Sequence, residues 1–257
     1  MDISLSSMFW GFFIVSIPIF FLNYYKTGLA KDAFISIIRM SVQLFFVGFY
    51  LKYMFKLNLW WVNALWVLIM TIIASDTIIR RTKSSYKELF IAISSSLLFT
   101  IILIDIYFMY MILELENIFD ARYFIPISGM IMGNMLSANV IAINSYKNNF
   151  NRDRQLYIYR IANGATYKEA HAPFIKGALI QSFNPTIASM AIMGLISLPG
   201  TMTGQILGGS SPDIAIKYQI MLMSSIFVAS FISVLITLLL ISKKIECYSP
   251  PHSIFIY

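Results

Sequence analysis

The sequence predicts an all-α, polytopic membrane protein of about seven transmembrane helices, with the N-terminus outside and the C-terminus cytoplasmic. Three observations predict it. Apolar residues make up 58% of the 257 residues and charged ones only 12%, with a mean hydropathy of +0.74. A soluble domain carries about 25% charged residues to wet its surface, so lipid must be the solvent for most of this chain. The uncharged runs are close to the ~20 residues that cross a bilayer as a helix. The basic residues fall almost wholly on one side of those runs.

In chain order, the first run is 3–25; it has no positive leading region and no small-residue cleavage pattern, so it reads as a retained helix. The second, 33–51, is broken only by Arg39, and the third is 57–75. The fourth, 89–113, contains Asp105, and the fifth, 123–146, opens near Pro126. The stretch 177–212 is too long for one straight span and is punctuated by Pro185, Pro199 and Gly200, so it predicts one helix plus re-entrant or polar connections. The last span is 218–242. Segments 26–32, 80–88, 147–176 and the tail after Ser242 then share one side and hold 14 of the 19 Lys and Arg, against four opposite. That asymmetry places them in the cytoplasm, and it accounts for the net charge of +7 without a nucleic-acid partner.

The segment 147–176 is the largest polar piece. Gly164 suits a left-handed helix stop, and Thr166 with Glu169 matches a capping box. The pattern is helix, tight bend, new helix: an elbow shaped for a partner, or a plain join between spans. Polar groups also lie at membrane depth. Arg39 and Gln43 share a helical face, Asn134, Asn139 and Asn144 follow the fifth span, and Gln181 and Asn184 open the sixth. Such groups line a pathway or bond between helices. Arg39, Gln43, Asn134, Gln181, Asn184, Pro199 and Gly200 are the candidate pathway residues, with the broken stretch 194–208 as its moving part. Gly129 and Gly133 form a small-residue step for helix packing.

Other chemistries are absent from the sequence. It has no phosphate loop, no HExxH and no GxSxG, so the chain cannot hydrolyse a nucleotide itself. The lone cysteine, Cys247, closes no internal disulfide; His171 and His252 read as loop residues; and no metal ligand set is assigned. The 15 methionines fit packing better than a soft-metal path.

Four stretches carry a family resemblance: 38–55, 126–134, Asn163 to Thr166, and 194–208 followed by 215–221. Together they anchor roughly residues 33–235, and on them the chain resembles the FetB/YbbM family of ABC transporter permeases. The resemblance implies a single permease domain over 1–257, working as a homodimer with two copies of a separate cytoplasmic ATPase that carries ATP and Mg; this chain binds no cofactor. It implies export, with iron homeostasis and oxidative-stress resistance as the bacterial role in the plasma (inner) membrane. Plant relatives are linked to aluminium tolerance, and one to UDP-glucose. Arg160, Asn163, Gly164, Ala165, Thr166 and Glu169 become the ATPase-coupling candidates. Gly164 falls at the glycine of the importers' EAA-x3-G loop, whereas Ile158, Tyr159 and Arg160 replace its glutamate and alanines. Two alternatives stay open: a secondary transporter or channel without an ATPase, and an ABC exporter of another solute such as a nucleotide sugar. A membrane enzyme ranks third, since no nucleophile–base pair is visible.

Overall fold

Every expected apolar run forms a helix in the computed structural model, which describes residues 5–84 and 86–247; His252 lies outside them. The helices are α1 (Leu5–Tyr24), α2 (Ala30–Leu57), α3 (Trp60–Thr82), α4 (Tyr86–Tyr107), α5 (Ala121–Arg152), α6 (Arg154–Ala162), α7 (Tyr167–Ile192), α8 (Gly200–Leu207) and α9 (Pro212–Cys247). Five of them, α2, α3, α4 with its extension, α5 and α9, are long and apolar enough to cross a membrane. The chain is a polytopic all-α integral membrane protein. α1 and α7 fall at the expected first and sixth runs.

Helix bounds differ from the uncharged runs in a consistent way. α3 continues through Asp76, Arg80 and Arg81, and α7 begins ten residues before Gly177 and includes Lys176. Charged residues end the apolar zone, not the helix: Asp76 and Arg80 pair at 2.8 Å along one turn of α3, outside the core. The sixth run ends early for the opposite reason. α7 stops at Ile192, Gly194 takes a positive φ of 86°, and Pro199 caps the short α8, so 193–199 is a turn.

The chain divides after Leu57 into two compact units. In the first, α1 and α2 form a hairpin whose turn uses positive φ at Lys26 and Gly28, with the Thr27 hydroxyl donating to the carbonyl of Leu22. Phe12, Ile19, Phe34 and Ile38 line a groove between the two helices.

In the second unit, α5 lies at the centre, against α3, α7 and α9. Its buried face repeats at helical spacing, with Ile127, Ile131, Met135, Ile143 and Tyr146 all fully covered. Bonds at the two ends of the unit show that its spans alternate. At one end Asn63 Nδ2 donates to the Phe119 carbonyl (2.8 Å), and the Ala121 amide donates to Asn58 Oδ1 (2.9 Å). At the other end Lys147 Nζ reaches the Lys83 carbonyl, and Tyr146 meets His171. α4 finishes at the first end in a π-helical turn over Phe108–Ile112, which keeps Phe108 and Met109 buried while the chain leaves the bundle.

Candidate functional site

The elbow is built by two interlocking end signals. At the end of α6, Gly164 adopts φ +83°. Its amide donates to the Ile161 carbonyl, and the next amide, of Ala165, reaches back to the Arg160 carbonyl, both at 3.0 Å. This is the double closure of a Schellman stop, which needs a left-handed residue at Gly164. Two residues on, Thr166 caps α7: the Glu169 amide donates to Thr166 Oγ1 (3.4 Å), and the Thr166 amide donates to Glu169 Oε2 (2.7 Å). Hydrogen bonds from the Thr166 hydroxyl and then its amide hold the Glu169 carboxyl below the usual carboxylate range. Arg160 Nη1 closes the angle by donating to the Glu169 carbonyl (3.1 Å), while Asn163 bonds back within α6. All six coupling candidates thus sit in one bend. α6 buries none of its residues and shows Leu156, Ile158, Tyr159 and Ile161 outward.

Beneath the elbow lies a feature the sequence reading placed wrongly. His171 is not in a loop: it is on the second turn of α7, 1% exposed, inside a box of Tyr146, Phe150, Tyr157, Tyr167 and Phe174. Tyr146 Oη and His171 Nδ1 are 2.6 Å apart, and His171 Nε2 has no partner. The helix reaches back past Lys176 because its cap lies at Thr166, and this carries the ring into the core. Aromatic residues at 146, 150, 157, 167 and 174 were the available signal; α5, α6 and α7 converge there only because of the bend.

A second polar group lies deeper. Asp105, 1% exposed on α4, accepts from the Ser128 hydroxyl of α5 at 2.5 Å, and its other oxygen is unpartnered. Asn139 Nδ2 donates to Ser233 Oγ of α9 (2.8 Å), and the Ser96 hydroxyl of α4 donates to the Ser233 carbonyl (2.8 Å). Asn139 Oδ1, Thr100 Oγ1 and Thr237 Oγ1 are buried without partners. Orphan oxygens in a bundle core are costly, and ionisable groups at that depth mark pathways and relays more often than packing.

The other candidates of the second unit are not gathered there. Arg39 and Gln43 sit one turn apart on α2, in the first unit. Asn134 is exposed on α5 and bonds to its own helix at the Met130 carbonyl. Gln181 and Asn184 are exposed on α7. Pro199 and Gly200 start α8, whose Thr201 hydroxyl donates to Gln219 Oε1 (2.5 Å), beside the exposed turn residues Leu195, Ile196 and Leu198. A Cβ placed on Gly129 or Gly133 would meet nothing within 4 Å, so the close approach their spacing permits is left open. No group of three or more metal-ligating His, Cys, Asp or Glu side chains occurs among the described residues.

Comparison with known proteins gives a consistent picture. A family model described as the uncharacterised protein family UPF0014 matches residues 5–245. The probable iron export permease protein FetB of Escherichia coli is 30% identical over 99% of this chain and 96% of its own length. The UPF0014 membrane protein YjkA of Bacillus subtilis is 31% identical over 81% of this chain and 82% of its own. Protein ALUMINUM SENSITIVE 3 of Arabidopsis thaliana is 32% identical over 80% and 74%. No solved structure matches.

Proposed function

Because the chain belongs to the UPF0014 family, we propose that it is the membrane-spanning subunit of an ATP-driven ABC exporter, powered by a separate cytoplasmic ATPase that binds ATP and Mg. At the coarser level it is a membrane transporter subunit. The proposed substrate is iron, supported by the name of the E. coli relative, and the proposed location is the bacterial plasma (inner) membrane. The observation that carries the ATPase partnership is α6. A nine-residue helix presents Ile158 and Tyr159, 55% and 66% exposed, from a bend locked at both ends. Exposed apolar and tyrosine side chains on a rigid mount are the anatomy of a docking element, and a rigid bend transmits movement to α7.

The decisive experiment expresses the tagged permease with its host's ABC ATPases. Co-purification of one ATPase, and hydrolysis in vesicles stimulated by ferrous iron over other metals and nucleotide sugars, are expected. A secondary transporter is the second reading, favoured by the half-satisfied carboxylate of Asp105. It would export without any ATPase and lose activity in Asp105→Asn.

The proposed topology has seven spans, counting α1 and α7, with the N-terminus outside. Cys247 should then react with an impermeant thiol reagent in inverted vesicles and not in sealed cells. Labelling in intact cells would reverse the orientation. A second copy of the chain is proposed to use the open Gly129/Gly133 face of α5. Pro199 and Gly200 are proposed as a movable joint with the exposed turn before α8, alongside Arg39, Gln43, Asn134, Gln181 and Asn184 on the pathway. Alanine at both positions is expected to lower transport severalfold at unchanged expression. Normal transport would make the stretch a connector only.

A further inference from the structure

We propose that the crevice between α7 and α9 at the elbow end of the bundle is a binding site for an anionic phospholipid. The crevice has a volume of about 810 Å³, within the size range of ligand sites. Its floor is apolar, with Ile175, Leu179 and Ile180 from α7 and Leu239 from α9. Lys168, Lys176 and Lys243 line it as well, and none of the three is in an ion pair among the described residues.

Depth selects the occupant. α9 is uncharged from Tyr218 to Ser242 and becomes charged at Lys243, which puts the membrane boundary near Lys243 and leaves Leu179, Ile180 and Leu239 on its hydrocarbon side. Lys176, one helical turn from Ile180, is placed to reach the same level with its long stem. An occupant must therefore carry a hydrocarbon chain below and negative charge at headgroup level. A soluble anion would waste the floor, and a zwitterionic lipid would leave three ammonium groups uncompensated. The site requires placement in a membrane, and neither the ATPase nor the orientation.

The test uses the full chain, purified in mild detergent and offered equal phosphatidylglycerol and phosphatidylcholine, with retained lipid read by native mass spectrometry. About tenfold preference for phosphatidylglycerol is expected. It should vanish in Lys168→Gln/Lys176→Gln/Lys243→Gln and persist when Lys31, Arg81 and Arg154 are neutralised instead. Ile180→Trp, which fills the floor with the lysines intact, should lower retention of both lipids. Excess glycerol phosphate should not compete. If the variants fail to fold, a photoreactive phosphatidylglycerol on the unaltered protein should still cross-link at α7 and α9 beside the crevice. Equal retention of the two lipids, equal loss in the control variant, full competition by glycerol phosphate, or cross-links elsewhere would overturn the proposal.

Discussion

Gly164→Val combined with Thr166→Ala is expected to give a permease that inserts at normal levels yet loses most ATPase binding and most transport-coupled hydrolysis. A β-branched residue at φ +83° costs about 1–2 kcal/mol, and losing the cap costs about 1 kcal/mol more. Neither position is in the core: both residues are exposed, and nothing beyond its chain neighbours lies within 4 Å of a Cβ at Gly164. The penalty therefore falls on the angle between α6 and α7. Arg160→Ala should act in the same direction more weakly, because its bond to the Glu169 carbonyl is one of several that set the bend. The measurement is co-purification of the ATPase together with export per ATP hydrolysed in vesicles. Full binding and coupling in the double variant would reduce the bend to a join between helices.

The largest stability loss is expected at Tyr146→Ala. Tyr146 is fully buried, stacks near Phe150 and His171, and ties α5 to α7 through its hydroxyl. Removing so large a side chain costs about 3–5 kcal/mol, much of it as an unfilled cavity. Tyr146→Phe keeps the volume and should cost only about 1–3 kcal/mol, from the His171 Nδ1 left without its partner. Thermal unfolding of the detergent-solubilised protein would resolve the two. A Tyr146→Ala variant as stable as Tyr146→Phe would mean that the box is not part of the folding core.

The elbow was legible in the sequence because its signals are local. A glycine two residues before a Thr-x-x-Glu stretch specifies both helix ends from a few adjacent residues, and the structure places each where the pattern puts it. The spans were legible for a similar reason, since hydropathy sums over neighbours. His171 was not legible, because its burial depends on residues 25 positions away that meet it only after the chain has turned twice. The polar core was partly hidden in the same way. Asn139 announced itself as an amide within an apolar run, but its partner Ser233 is 94 residues on and resembles any other serine of α9. Asp105 stood out as a charge, while the orphan state of one oxygen is a property of packing that no local pattern records.

Ser233 has a mechanical meaning. Its hydroxyl accepts from α5 and its carbonyl from α4, so three helices are pinned to one residue. Other buried hydroxyls, including Thr71, Ser75 and Thr82 of α3, bond to carbonyls of their own helix. α4 and α5 are joined again nearer the other end, where the Ser128 hydroxyl donates to Asp105, whereas α9 is bonded to that pair at Ser233. With α4 and α5 joined at two levels, Ser233 is the pin that holds α9 in register against that pair.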